Sequence, residues 1–470
     1  MPSRLLILFL ALAGFVARAG DFGARFDDLV RTATPRQLYT LLYDLPKGGD
    51  LHNHAGGSDR PEWMFAVLTD PARNGGDAFY ARMRFDSDTP PADRYKIIRR
   101  RTYEHLPPAT RDRYVALTDL TTAERTEWAN AFRLDAPGEG RDEFFGALFA
   151  RRGDLSQNLD ARLELLAENI KAFAAEGLAY LETQFGADGI VTNDGRVLTA
   201  AEAVPIIERR LAQPDLATTG LVVRFQDVIV RFRPDAEAKL AEAYAFVAAH
   251  RDRWVGLNMA GIESDPRGPP RRFLETFRQL RARHGAVALS IHAGEMDGAD
   301  SHVRDTLVLG ASRIGHGVNL IKDPATLLLL QQTRRTLVEI NLISNRLLGY
   351  VPDPAQHPFP EYLRTGIPVC LNTDDRGMWD SNLTDEYFTA VTTFRLTWDE
   401  VVQLGRASLE HAFVQPEVKQ KLLAAYAARV AAFERKYGAD SPSVADGLAK
   451  LATVKPVTYG YAKRTWGLEF

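Results

Sequence analysis

The chain of 470 residues has a single cysteine and little net charge. Cys370 can form no disulfide within the chain, so the protein is not a small disulfide-stapled domain and needs a large core for stability. It lies in an apolar, strand-like stretch, which predicts a buried and inert thiol. A formal net charge of −3 gives no electrostatic reason to expect nucleic acid or an anionic membrane as a partner.

The apolar run at the N-terminus is too short to cross a membrane. It covers residues 5–16, whereas a spanning helix needs about 20 apolar residues. Arg4 precedes the run, and Ala17-Arg18-Ala19 follows it with the small residues of a signal-peptidase site. We therefore predict a signal peptide over residues 1–19, no lipid or membrane anchor after its cleavage, and export to the periplasm or the extracellular space. The alternative is a frayed apolar helix.

Residues 20–470 are predicted to form one domain. A first strand is expected at about 46–54, followed by a mostly helical insertion over about 59–158. Strands and helices then alternate, which predicts parallel strands joined by right-handed crossovers. The later strands are expected at 179–183, 220–232, 254–261, 287–292, 313–316, 337–342 and 368–372. These eight strands predict a (β/α)8 TIM barrel of the α/β class with the insertion after its first strand and with C-terminal helices, clearest over residues 404–436.

Four short segments end in groups that bind a metal or move a proton, and each follows an apolar or β-branched run. They are Asp50-Leu51-His52-Asn53-His54, Ser290-Ile291-His292-Ala293-Gly294-Glu295, Arg313-Ile314-Gly315-His316-Gly317 and Leu371-Asn372-Thr373-Asp374-Asp375. Each is expected at the carboxyl end of a strand, where a (β/α)8 barrel builds its active site. Together they predict a mononuclear metal hydrolase.

The residue types in these segments fit that chemistry. His52 and His54 are two apart on a strand, so their side chains leave the same face and can converge on one ion. His292 can supply a third imidazole, and Glu295 beside apolar walls can act as a general acid.

The residues of the last two segments allow more than one role. His316 can be a ligand, a base or an electrostatic clamp. Two adjacent carboxylates, Asp374 and Asp375, are costly to bury unless a cation or hydrogen-bond donors hold them. For each histidine alone, a structural role is the competing interpretation.

Taken in order, the motifs resemble those of the adenosine deaminases, within the metal-dependent amidohydrolase barrels. The resemblance covers most of residues 46–415, and the signal peptide with Lys47-Gly48-Gly49 is most similar to the secreted, growth-factor-like branch. Further matching motifs are Pro46-Lys47-Gly48, Ser344-Asn345 and His357-Pro358.

The resemblance implies one Zn²⁺ per subunit and hydrolytic deamination of adenosine and 2′-deoxyadenosine. The implied metal ligands are His52, His54, His292 and Asp374. A zinc-activated water would attack C6 of the purine while Glu295 gives a proton to N1, and ammonia would leave. His316 would deprotonate or orient the water, Asp375 would contact N7, and the Gly261 amide would contact N3.

Some positions depart from the family's pattern. Gly56 stands where the intracellular enzymes have a ribose-binding acid, and Arg376 follows the two acids in place of a proline. Arg376 could reach a substrate phosphate or pair with an acid. Candidates for the missing acid are Asp59, Glu182 and Glu263.

Two other functions therefore stay open. One is a deaminase of another aminopurine or nucleotide, and the other is a catalytically silent extracellular binding protein. The zinc deaminases that use Pro-Cys-x-x-Cys are excluded by the single cysteine. The expected partner is a small purine nucleoside, and oligomer formation is left open.

Overall fold

Eight parallel strands form the centre of the molecule. The computed structural model describes residues 22–296 and 298–470, so the predicted signal peptide lies outside the described residues. The strands follow one another around the sheet in chain order, each paired in parallel with the next. They are β1 (Lys47–His54), β2 (Leu178–Gln184), β3 (Val222–Val230), β4 (Trp254–Ala260), β5 (Ala288–Ala293), β6 (Arg313–His316), β7 (Leu337–Ile340) and β8 (Val369–Leu371).

Hydrogen bonds between β1 and the segment after β8 close the sheet. The Asp374 N–H donates to the His52 carbonyl at 2.9 Å, and the His54 N–H donates to the Asp374 carbonyl at 3.1 Å. The Asn372 side chain accepts a further bond from the Leu51 N–H at 2.9 Å. The predicted (β/α)8 barrel is confirmed, and its first and last strands are neighbours.

Helices surround the barrel and occupy the connections between its strands. The helix Leu159–Ala175 begins where the Asn158 side chain accepts from the Ala161 N–H, a common way to start a helix. The helices are 22–32, Pro35–Asp44, Pro61–Leu68, Thr122–Asn130, Leu159–Ala175, Ala200–Leu211, Ala236–Ala249, Leu274–His284, His302–Leu309, Pro324–Thr333, Leu342–Leu347, Phe359–Arg364, Leu383–Phe394, Trp398–Glu410, Pro416–Glu434, Val444–Ala449 and Gly460–Trp466, with shorter turns between them.

The insertion between β1 and β2 contains a small sheet that the sequence did not reveal. Its antiparallel strands are Phe79–Arg82, Ile97–Arg99 and Tyr114–Ala116. Strands of three or four residues are too short to show the alternation by which a strand is recognised. The prediction of a mostly helical insertion missed this sheet, which packs with its helices around a separate apolar cluster.

Predicted and observed barrel strands differ by at most two residues at either end, and one predicted helical stretch is divided. The seventh strand ends at Ile340, and the helix Leu342–Leu347 begins two residues later. The helical stretch expected over 404–436 is two helices, Trp398–Glu410 and Pro416–Glu434, separated by residues 411–415. Pro416 begins the second helix, at a position where the missing N–H of proline costs no hydrogen bond within the helix.

The barrel and its helices share one large apolar core. Cys370 lies in β8 and is buried, as predicted, and burial raises the pKa of its thiol well above the ordinary value. Across residues 22–296 and 298–470, no helix combines the length and the apolar character that crossing a membrane requires.

Candidate active site

The four predicted segments meet at one end of the barrel. His52 and His54 lie in β1, His292 in β5 and His316 at the last position of β6. Asp374 and Asp375 lie three and four residues beyond the end of β8. Because all these strands are parallel, their carboxyl ends open on the same side, and the side chains converge there.

Four of these side chains are spaced as ligands of one metal ion. His54 Nε2 is 3.3 Å from His292 Nε2 and 3.1 Å from Asp374 Oδ1, and His52 Nε2 is 3.4 Å from Asp374 Oδ1. An ion held tetrahedrally by bonds of about 2.0–2.1 Å keeps its ligand atoms about 3.3 Å apart. His52 Nε2 is buried and makes no hydrogen bond of normal geometry. The four residues predicted as ligands therefore fit a metal ion.

The charges around the four residues also suit a cation. Burial raises the pKa of a carboxyl group, but His52 and His54 hold the pKa of Asp374 well below its usual range. Burial and the neighbouring histidines lower the pKa of His292 far below its ordinary value. His292 therefore stays neutral and Asp374 ionised, the forms in which both bind metal ions.

A buried carboxylate that sequence reasoning missed orients His52. Glu339 Oε2 lies 2.8 Å from His52 Nδ1, which leaves His52 Nε2 facing the metal position. Glu339 is itself held by the Ser290 hydroxyl at 2.9 Å and by Arg313 at 2.7 Å. Burial lowers the pKa of His52, but Asp374 and Glu339 outweigh it and raise that pKa to about 10, so a metal ion that binds here displaces a proton from His52 Nε2. One signal was available, because Glu339 is a lone charge inside the apolar run Leu337–Ile340.

Glu295 and His316 face each other beside the four candidate ligands. Glu295 Oε2 is 3.5 Å from His316 Nε2, and both side chains are buried. Burial first, and then the nearby charges of Asp374 and Glu263, raise the pKa of Glu295 well above its ordinary value. Glu295 can therefore keep a proton at neutral pH, as a general acid requires.

The Glu263 carboxylate holds the backbone turn that carries Glu295. It accepts the N–H groups of Gly294 and Glu295, both at 3.1 Å, and contacts His302 Nδ1 at 3.0 Å. Its oxygens are therefore engaged by the turn that carries Glu295. Glu263, Asp300 and His302 are also close enough to share an ion, but these bonds already explain Glu263.

Two of the six non-glycine residues that have positive φ within the described part of the chain lie at this site. His316 and Asp374 have φ values of +66° and +53°, which are uncommon for residues other than glycine. Strain of this kind clusters at functional sites, where the surrounding structure holds it. Gly57 packs directly on Asp375, since a Cβ at position 57 would lie 1.5 Å from Asp375 Oδ1.

Gly261 lies at the same end of the barrel, immediately after β4. Its φ of +99° favours glycine, and a Cβ there would lie 2.8 Å from the Phe232 ring. All the residues predicted for the site are thus found at one barrel mouth.

A cavity of about 380 Å³ begins beside His54 and extends towards the insertion. Gln184 lines it and places Nε2 3.4 Å from His54 Nε2. Gly56 leaves space for Arg152, whose Nη1 would lie 3.0 Å from a Cβ at position 56. Arg152 in turn pairs with Asp59 at 2.6 Å.

Glu182, the remaining candidate for the missing acid, is engaged elsewhere. It lies inside the barrel and pairs with Arg313 at 2.5 Å. Arg376 is also buried and pairs with Glu176 at 2.5 Å, with its guanidinium 4.0 Å from the Phe173 ring. Of the two roles left open for Arg376, the structure supports pairing with an acid.

Comparison with known proteins agrees with this geometry. The sequence profile of the adenosine deaminase family matches residues 104–428, more than half of the chain. Adenosine deaminase from Enterococcus faecalis (strain ATCC 700802 / V583) is 32% identical over 262 residues, which cover 55% of this chain and 74% of that protein.

Two solved structures share the fold. A Zn-bound amidohydrolase from Burkholderia ambifaria has a TM-score of 0.60 at 21% identity and covers 89% of this chain and 96% of its own. Arabidopsis ADAL complexed with GMP has a TM-score of 0.59 at 21% identity, with coverages of 82% and 99%. At such identities the likeness concerns the fold alone. On the profile match and the Enterococcus relative, the chain belongs to the adenosine deaminase family.

Proposed function

We propose that this protein is a zinc-dependent deaminase that converts adenosine and 2′-deoxyadenosine, with water, into inosine and 2′-deoxyinosine and ammonia. One observation carries the proposal. His52, His54, His292 and Asp374 are spaced for one ion, and a buried acid with a raised pKa, Glu295, lies beside them.

Zinc is the metal that these ligands favour. Three imidazoles and one carboxylate at tetrahedral spacing are ligands that zinc accepts readily. The amidohydrolase from Burkholderia ambifaria was solved with bound Zn, which supports the same choice. When bound, zinc lowers the pKa of water towards about 7 and so makes a nucleophile available at neutral pH.

The protein's own residues supply the proton transfers and the orientation. As oxygen bonds to C6, Glu295 gives its proton to purine N1, so the ring does not accumulate negative charge. Asp375, whose pKa burial and Asp374 raise well above the usual value, can present a proton to N7. In this proposal the Gly261 amide contacts N3. The C6–N bond then breaks, and ammonia leaves.

The cavity beside His54 favours an uncharged sugar as the other end of the substrate. Its charged lining consists of the acids Asp59, Asp188 and Asp227 and the bases Arg152 and Arg162. A phosphate dianion would find no surplus of positive charge there. Burial and then Asp188 raise the pKa of Asp227 to about 7, so that carboxyl group can also donate a hydrogen bond to a hydroxyl.

One observation favours a nucleotide instead. Arg152 Nη1 is buried without a hydrogen-bond partner, and a phosphate oxygen would satisfy it. Arabidopsis ADAL was solved with GMP. Deamination of a nucleoside monophosphate is therefore the second candidate function.

Export to the periplasm or the extracellular space remains part of the proposal. It is supported by the charge and apolar pattern of residues 1–19. Sequencing the N-terminus of the protein recovered from outside the cytoplasm of the source cells should give residue 20 as the first residue.

The experiment that tests the function uses the purified mature protein. We expect about one zinc per chain and a change in the ultraviolet absorbance of adenosine and 2′-deoxyadenosine, with AMP much slower. Glu295→Gln should lower kcat by at least roughly 10²–10⁴-fold. Glu275→Gln, at an exposed helix position, is the matched control. Bound zinc with no change in adenosine absorbance would reject the proposal.

A further inference from the structure

A line of hydrogen bonds leads from a backbone amide to His316. The Phe359 N–H donates to His357 Nδ1 at 3.1 Å, and His357 Nε2 lies 3.1 Å from Asn345 Oδ1. Asn345 Nδ2 lies 3.1 Å from His316 Nδ1. All these side chains are buried, so water does not compete for the bonds.

The Phe359 N–H fixes which groups donate and which accept along these hydrogen bonds. A backbone N–H can only donate, so His357 Nδ1 must accept and carries no proton. Burial lowers the pKa of His357 to about 3, so the ring is neutral at ordinary pH. Its single proton is therefore on Nε2.

The same argument fixes the donor and the acceptor of each hydrogen bond as far as His316. Because His357 Nε2 donates, the facing atom of Asn345 must be its carbonyl oxygen, and the amide nitrogen faces His316 Nδ1. Asn341 Nδ2 also lies 3.2 Å from that nitrogen. Two amide donors thus meet His316 Nδ1, which must accept.

The other nitrogen of His316 faces the site. Because Nδ1 accepts hydrogen bonds from the two amide groups, it carries no proton, and the single proton of the ring is on Nε2. Nε2 is buried, lies 3.5 Å from Glu295 Oε2 and has no hydrogen-bond partner within the described residues.

We propose that Asn345 and His357 are positioning residues that hold the proton of His316 on Nε2, so that His316 donates a hydrogen bond to the attacking oxygen. This role rests on the proposed function. In this tautomer Nε2 has no free lone pair, so His316 orients the water and does not accept its proton. Neither positioning residue is one of the candidate ligands.

The tautomer can be measured directly. Long-range ¹H–¹⁵N correlation spectra of the zinc-loaded protein, labelled with ¹⁵N-histidine, distinguish protonation at Nδ1 from protonation at Nε2. The signal of His316 is identified by its loss in His316→Gln. We expect the Nε2–H pattern for wild-type His316, and the Nδ1–H pattern would overturn the proposal whatever the activity.

A single isosteric change should reverse the tautomer. In Asn345→Asp the carboxylate can only accept, from His357 Nε2–H on one side and from His316 on the other, so the His316 proton should move to Nδ1. The Asn341 amide, whose oxygen has no partner in the described part of the chain, should then turn to accept as well. We expect kcat for adenosine to fall roughly 10²–10⁴-fold with little change in KM. The matched control is Asn74→Asp. Asn74 is a buried asparagine in the insertion that donates to the Leu68 carbonyl and accepts from the Asp77 N–H.

Variants at His357 separate positioning from packing. His357→Gln keeps an N–H near the position of Nε2 and should retain the wild-type tautomer and most of kcat. His357→Leu keeps the bulk but not the donor and should lose both. Equal loss in the two variants would contradict the positioning role. An Nε2–H signal in a protein inactive on every aminopurine would instead reject the proposed function and leave the tautomer assignment standing.

Discussion

At the residue scale, the candidate metal site depends on a carboxylate that binds no metal. Glu339 holds His52 by its Nδ1, so His52 Nε2 faces His54, His292 and Asp374. Such carboxylates fix the ring and make the imidazole a better ligand. The contact joins two strands, β1 and β7, that are far apart in sequence.

We therefore expect Glu339→Gln to weaken zinc binding by roughly 10–100-fold, because the substitution removes the charge that orients His52. Competition with a chelator of known affinity measures the change. Ser290→Ala, which removes another contact of Glu339 but leaves its charge, should change the affinity much less. Equal zinc affinity in wild type and Glu339→Gln would mean that Glu339 serves only to neutralise Arg313.

The pKa of Glu295 sets the expected pH dependence. An ordinary glutamate loses its proton at about pH 4.3, but burial raises the pKa of Glu295 well above that value. A general acid works only while protonated, so kcat/KM should hold through neutral pH and fall as the pH rises through that pKa. A profile of kcat/KM against pH tests this. A fall in kcat/KM as the pH rises from 4 to 6 would contradict it.

Gly57 gives a test of the packing on Asp375. A Cβ at position 57 would lie 1.5 Å from Asp375 Oδ1, so Gly57→Ala must displace that carboxylate. A displacement of about 1 Å can cost roughly 10²-fold in rate. We expect kcat/KM to fall by at least about 10-fold. Gly146→Ala, which would meet nothing within 4 Å, should leave kcat/KM unchanged.

At the scale of elements, the sequence predicted the barrel well and the insertion poorly. All eight barrel strands were found near their expected places. Strands such as Val222–Val230 are rich in apolar and β-branched residues, the usual sign of a buried strand, whereas β1 has Leu51 as its one large apolar side chain. Phe79–Arg82 and its two partner strands were missed because they are too short to show a pattern. The break at 411–415 could have been inferred from Pro416, because proline is unfavourable in a helix interior and common at the first helical position.

The motif Lys47-Gly48-Gly49 is explained by the packing of a C-terminal helix on β1. A Cβ at Gly48 would lie 1.9 Å from the carbonyl oxygen of Gly405, in the helix Trp398–Glu410. Lys47 is buried and donates to the carbonyls of Leu42 and Glu176 at 2.8 and 2.7 Å. The motif therefore has a structural role, and membership of the secreted, growth-factor-like branch stays a prediction.

We expect Gly48→Ala to lower the free energy of unfolding by about 1–3 kcal/mol, the usual cost of overpacking a core. Denaturant unfolding followed by circular dichroism measures it. The catalytic end of the barrel is not touched, so the folded fraction should keep its kcat. Gly23→Ala, with nothing within 4 Å of the added Cβ, is the control. A stable Gly48→Ala protein would show that the helix can shift.

At the scale of the whole molecule, a bound ion would join distant parts of the chain. The candidate ligands come from β1, from β5 and from the segment after β8. A ligand that binds only the folded state stabilises it, by about 2.7 kcal/mol when its free concentration is 100 times Kd.

Zinc removal should therefore lower the melting temperature, and adding zinc back should restore it. Differential scanning calorimetry with and without a chelator measures the shift. His292→Ala, which lacks one ligand, should show a smaller response to the same treatment. A wild-type melting temperature that does not depend on zinc would contradict the assignment of these four residues as ligands.

The way in which the whole barrel closes explains which site residues could be predicted from the sequence. His52, His54, His292, His316 and Asp374 were found because strand ends are visible in the sequence. Glu339 and Arg152 were not found, and His357 was named only as part of a matching motif. The roles of all three depend on neighbours that only the closed barrel and its insertion bring together. The side chains that a carboxylate inside a barrel contacts can be inferred only when the strand order is known.

The closure of the barrel has a consequence for how the protein is made. Asn53 and Asp374 are bonded although 321 positions separate them, and candidate ligands lie beside both. A ribosome must therefore finish most of the chain before the four ligands can meet. The complete set of ligands exists only once Asp374 has been synthesised, and any truncation before Asp374 should yield a product that cannot assemble the ion-binding centre.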